Sequence, residues 1–329
     1  MKKTLPIIYP PIETYQGSSF VLGVLLAHSN TANEYFNRYI NLECKDTEDS
    51  YSIRLEFTNV TWEDYRLAGI AEMNLFFLKN IHRDKFINFI RERIEQGNYI
   101  LFFSIDEFYL SYTKYNNIMH YLHDTYIYGY EEDTFCIMAY KDGKLKEFTI
   151  PNEEIINGMY YHIDASDNLS FCSFRPNQSI TKKIELPKIK QAFVDYICSC
   201  NSSGVNANVI YGMNTYNILI NCINKVIANK FVSNSDVDLR PFRFFWEHKK
   251  VLVDHVVKLK EYLNINKNII TMIENIENDA DIVFKLMIKY SLTKNLLILN
   301  KVLVYLFQIR EKEVEFVNQL LDEFSRNGI

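Results

Sequence analysis

Between residues 99 and 176 the apolar side chains of this chain recur at every second position, and on either side of that stretch they recur at helical spacing. A chain ordered in this way has to build a sheet from one local run of strands and cover it with helices drawn from before and after. The strand-like runs are YILFFSIDEFYL (99–110), DTYIYGY (124–130), TFCIMAY (134–140), KLKEFTIP (144–151) and LSFCSFRP (169–176). KDGK (141–144) carries the Asp-Gly pair of a tight hairpin, so neighbouring runs are expected to pair antiparallel.

The flanking stretches read as helices. SSFVLGVLLAHSN (18–30) is continuously apolar, as a buried helix is, and Ser18 or Ser19 is placed to cap it. ANEYFNRYINLEC (32–44) also follows helical spacing, whereas YSIRLEF (51–57) alternates and reads as a strand. In RDKFINFIRERIEQGNY (83–99), Phe86, Phe89, Ile90 and Ile94 share one face, and Gly97 stands where a helix ends. From about 184 onward helical spacing runs almost to the end, with Pro187 in a first turn and Phe245, Leu252, Val256 and Leu259 on one side of a long helix. The expected fold class is therefore α+β over residues 1–177, followed by an all-α helical domain over 178–329. No internal repeat interrupts this division.

Composition narrows the function. About half of the 329 residues are hydrophobic and 15% are aromatic, enough for packed cores. The formal charge is −5 with no dense Lys/Arg block, which argues against nucleic-acid binding. Pro6, Pro10 and Pro11 break up the N-terminal apolar patch, and no apolar run approaches the roughly 18 residues of a membrane span. The six cysteines lack the spacing of a disulfide framework, so a reduced, cytoplasmic protein is expected.

Chemistry concentrates at HYLHDTYIYGY (120–130), where His123 stands at the head of a strand. A histidine there can act as a general base if a nucleophile at the N-terminus of a buried helix faces it and a third polar residue orients the ring. The bland alternative is a strand-end histidine held by hydrogen bonds. His120 reads as a surface residue, and the His-x-x-His pair lacks a third metal ligand, so no metal is expected.

YINLEC (39–44), GNYILFFSIDEFYL (97–110), HYLHDTYIYGYEEDTFCIMAY (120–140) and DLRPFRFFWEHKKVLVDHVVKLKEYL (238–263) together resemble the butirosin biosynthesis protein H family and its relatives in bacterial nonribosomal-peptide gene clusters. The resemblance implies a papain-like domain followed by a helical one. It also implies transfer of an acyl or aminoacyl group from a carrier-protein thioester to an amine. His123 matches the family histidine. The family cysteine falls at Gly17 in TYQGSSFVLGVLLAH (14–28), and no cysteine precedes Cys44. The orienting acid falls at Ala139 or Tyr140, which leaves Asp142, a hairpin residue, as the nearby carboxylate.

Several readings stay open at this point. Ser18 or Ser19 serves as a hydroxyl nucleophile or only caps the helix. Cys44 is brought in by the fold, or the chemistry has been lost. Gln16 is an oxyanion donor or an exposed loop residue. Of the Asp106–Glu107 pair, one side chain points inward, where Asp106 either makes a structural hydrogen bond or lines a pocket beside Gly17 and Tyr140. Cys198 and Cys200 read as small buried hydrophobes within a helix. His248 and His255 read as residues at the margin of a packed face. An aromatic cleft would suit an apolar acyl or peptidyl chain on a phosphopantetheine arm, with no cofactor of the protein's own. The functional expectation is thus acyl, aminoacyl or peptidyl transfer or hydrolysis with an acyl or peptidyl carrier protein as partner. The alternative is a pseudoenzyme that binds the carrier protein or a partner enzyme. Oligomeric state is left open.

Overall fold

The computed structural model describes residues 2–45, 53–141, 143–161, 169–204, 206, 208–228 and 237–329. Its strands are β1 (Lys2–Thr4), β2 (Leu42–Lys45), β3 (Leu55–Phe57), β4 (Ala71–Phe77) and β5 (Tyr99–Asp106), then β6 (Leu122–Glu131), β7 (Thr134–Lys141), β8 (Lys144–Pro151), β9 (Ser170–Pro176) and β10 (Val209–Tyr211). Its helices are α1 (Gln16–Ala27), α2 (Glu34–Arg38), α3 (Trp62–Leu67), α4 (Phe86–Glu95) and α5 (Asn152–Tyr160), then α6 (Leu186–Cys198), α7 (Thr215–Ile227), α8 (Arg240–Leu259), α9 (Lys267–Thr293) and α10 (Leu296–Arg326). The fold is mixed α+β with an antiparallel sheet and a helical C-terminal part, and none of the described helices is long and apolar enough to cross a membrane.

Two units form, comprising Met1–Ala32 with Thr61–Lys182, and Asn33–Val60 with Lys183–Ile329. A single division at 177/178 therefore does not describe the chain, because an early segment crosses into the second unit. That unit is also not all-α: β2, β3 and β10 form a sheet in the order β10-β2-β3. YINLEC, read at helical spacing, supplies β2.

In the first unit the strands run β4-β9-β5-β6-β7-β8, every pairing antiparallel, with β1 beside the end of β6. Gly129 permits that approach, since a Cβ on it would stand 2.6 Å from the Lys3 carbonyl oxygen. Helix α1 covers one face: the Phe20 ring stacks on Tyr126 at 4.9 Å and meets Tyr99 edge-on. Helices α4 and α5 cover the other. Phe86 packs against Phe102, Phe171 and Tyr160, and Ile105 reaches toward Gly158 of α5. Phe86, Ile90 and Ile94 are fully buried, which contributes about 2 kcal/mol each, and Gly97 ends α4 at φ +83° as the sequence predicts.

In the second unit α9 and α10 form a helical hairpin. Lys294 turns the chain in the left-handed region at φ +53°, and the Asn295 side chain accepts from Leu297 N to cap α10. Cys198 ends α6 and Cys200 lies beyond it; both are exposed, not buried as the sequence suggests.

Candidate functional site

Helix α1 begins at Gln16, two residues ahead of Ser18, so neither serine caps it; Tyr15 occupies the cap position and makes no side-chain cap bond. The start is fixed by Gln16 itself. Its Nε2 donates to the Asp124 carbonyl at 3.0 Å, and its Oε1 accepts from Tyr140 N at 3.2 Å. Strands β6 and β7 pair Tyr126 with Met138, so the next rung in that register would join Asp124 to Tyr140. The Gln16 amide occupies this rung in place of a direct backbone bond, planting the amino end of α1 in the edge of the opening ladder. The Tyr140 hydroxyl adds a bond to the Glu13 carbonyl. Gln16 is thus a buried bridge and not an exposed loop residue, and its amide is committed to the two strands.

Gly17 faces β6. A Cβ built on it would lie 2.7 Å from Tyr126 Oη and 3.8 Å from Asp124 Oδ2. The Tyr126 hydroxyl donates to Asp124 Oδ2 at 2.8 Å, and its ring is held by Phe20 one turn along the same helix face. The position that the resemblance gives to a thiol is therefore filled by a buried phenol. Ser19 is fully buried and its hydroxyl donates to the Tyr15 carbonyl at 2.8 Å, the back-bond of a helical serine. Ser18 is half-buried and lies about 100° around the helix from Gly17.

His123 does not face this helix tip. Side chains alternate along a strand, so Asp124 and Tyr126 take the α1 face while His123 and Thr125 take the face of α4 and α5. The ladder bears this out. Thr125 pairs with Phe102, whose ring packs on Phe86 of α4, and His123 pairs with Ile105, whose side chain reaches α5. The expected line of sight from the imidazole to the start of α1 is corrected accordingly: Asp124, its sequence neighbour, lies there instead.

What His123 does meet is Glu107, with Nδ1 3.0 Å from Oε1. A second dyad lies beside it: His120 Nδ1 is 2.6 Å from Asp106 Oδ2. Asp106 ends β5, and Glu107 opens a short 3-10 turn, Glu107–Tyr109, so the two carboxylates are not simply one in and one out. Asp106 is buried, which opposes its ionisation. Bonds from His120 and from the backbone N–H groups of Phe108 and Tyr121 outweigh that opposition and hold its carboxyl below the ordinary range. His120 is exposed, as the sequence suggests, and its ring stacks between Phe108 and Tyr161, each 4.4 Å away. Around the pair, Ile118, Met119, Tyr121, Leu122 and Tyr161 expose apolar surface.

Cys44 lies on β2 in the second unit and is buried. Asp142 lies outside the described residues. Among the described residues no group of three or more His, Cys, Asp or Glu is arranged to hold a metal ion. Sequence reasoning missed Tyr126 and Glu107 as site residues. Counting by twos from Asp124 could have found the first; the second depends on how β5 ends. No protein-family model matches the chain, and no curated protein matches it.

Proposed function

We propose that this protein is a papain-like relative of the butirosin biosynthesis protein H group that has given up thiol chemistry and works by binding an acyl or peptidyl carrier protein in nonribosomal-peptide-type biosynthesis. The observation that carries this reading is the occupied thiol position: Tyr126 and Asp124 fill the space at Gly17, and Gln16 is spent on the sheet. Without a nucleophile there, a covalent acyl-enzyme has no place to form. The exposed apolar side chains at 118–122, with Tyr161, supply surface for a protein partner. Titration of an acylated carrier protein, followed by fluorescence anisotropy, tests it. Saturable binding that Ile118→Asp with Tyr121→Ala weakens at least tenfold supports the reading. Absence of binding overturns it.

One observation favours a second reading, in which His123 works as a base with no covalent step. A ring whose Nδ1 is held by a carboxylate accepts a proton at Nε2, the arrangement of a general base. His123 would take the proton of an incoming amine as its nitrogen bonds the thioester carbonyl carbon. The C–S bond then breaks, and the departing thiolate takes the proton back. Turnover that His123→Ala abolishes and Glu107→Gln reduces would establish this version over the binding one.

A further inference from the structure

Besides Leu296 in its first turn, four apolar side chains of α10 face solvent: Leu297, Val304, Phe307 and Val314. Their spacings are seven, three and seven residues, so they form one stripe about 100° wide and about 26 Å long. The core-facing side of α10 is separate and already occupied, with Val302, Leu306, Ile309, Phe316 and Leu320 buried. The exposed stripe reads the same from either end. A second α10 laid antiparallel across a twofold axis between residues 305 and 306 sets Leu297 on the partner's Val314 and Val304 on the partner's Phe307.

The charges agree with that direction. The N-terminal half of the helix and its leading turn expose Lys294 and Lys301, and the sequence holds no carboxylate between 294 and 310. The C-terminal half exposes Glu311, Glu315 and Asp322, while its Lys312 lies 2.7 Å from Asp279 of α9. Antiparallel pairing places the lysine end of one helix over the acidic end of the other and brings Lys301 beside the partner's Glu311. Parallel pairing would oppose like charges along the whole seam. We infer that the α10 stripe is a homodimer interface, closed by a second copy of this chain in antiparallel register.

Sedimentation velocity of the full chain over a range of concentrations tests this. The expected species has twice the 39.0 kDa chain mass. Val304→Glu with Phe307→Glu is expected to give a folded monomer whose thermal midpoint no longer depends on protein concentration, because both side chains are exposed in the single chain. Lys301→Glu should weaken the dimer about tenfold, and adding Glu311→Lys should restore it. A chain that stays monomeric at its highest soluble concentration, or a dimer that survives the paired glutamates, overturns the interface. Charge variants without effect overturn the antiparallel register.

Discussion

The phenolic oxygen of Tyr126 stands 2.7 Å from the point where a Cβ on Gly17 would lie. Glycine at this helix start is thus the partner of a tyrosine across the sheet, and the two residues are one packing decision. That pairing closes the space in which a nucleophile of α1 would have to work.

The sign of a Gly17→Ala change reports on it directly. In an open helix, glycine to alanine gains up to about 1 kcal/mol. Overlap with the phenol costs about 1–3 kcal/mol and should win, so Gly17→Ala destabilises. Tyr126→Phe removes the oxygen, leaving the ring carbon 3.6 Å away, an ordinary contact. In that background the same alanine becomes neutral or stabilising. Urea unfolding of the four proteins of the cycle measures this.

Gln16→Ala should cost about 2–4 kcal/mol, because it leaves both Tyr140 N–H and Asp124 C=O without the amide that joins them. Gln16→Glu offers only acceptors and faces the Asp124 carbonyl with an oxygen, so it should rescue little. Chemical denaturation gives the cost. Hydrogen exchange at the Tyr140 amide should accelerate in both variants.

In the second unit Lys249 is fully buried, with its Nζ 2.8 Å from both Glu313 oxygens, 3.1 Å from Tyr196 Oη and 3.0 Å from His248 Nδ1. Burial pulls the lysine below its ordinary range while the carboxylate resists. Lys249→Met strands a buried carboxylate and should cost about 3–5 kcal/mol. Lys249→Met with Glu313→Leu should cost less than the first change alone. Thermal unfolding of both variants decides it.

His255 makes stability depend on pH. Its Nδ1 donates to the Val251 carbonyl at 2.7 Å, and its ring packs against Tyr35 and Phe36. Burial pushes its pKa down to about 4, and His248, buried and beside Lys249, is pushed well down too. Between the folded value and about 6.5, the unfolded chain binds more protons, so the stabilisation is complete above about 6.5 and is lost as pH falls toward 4. His255→Phe should flatten that part of the curve, read from urea midpoints between pH 4 and 7.

The strands between 99 and 176 were legible because period-two alternation and an Asp-Gly turn are local signals. β4 was not: Ala71–Phe77 lies at the sheet edge and exposes Leu75 and Phe77, so its alternation is blurred. The α1 helix was legible, but its start was not, because it is set by a glutamine bonding to strands more than a hundred residues away. His123 lies at the head of β6, where the sequence put a strand-end histidine. Which face it took depended on the packing of Phe20 on Tyr126, a long-range fact invisible in either segment alone. His248 and His255 looked like margin residues because nothing local tells a buried histidine from an exposed one, yet both are fully buried.

The most direct test of the central claim is intact-mass analysis of the protein after incubation with an acyl-loaded carrier protein. With Tyr126 seated against Gly17 and Ser19 bonded within its own helix, the mass should remain that of the unmodified chain. A gain equal to the acyl group, mapped by peptide sequencing to Ser18 or Ser19, would contradict the account.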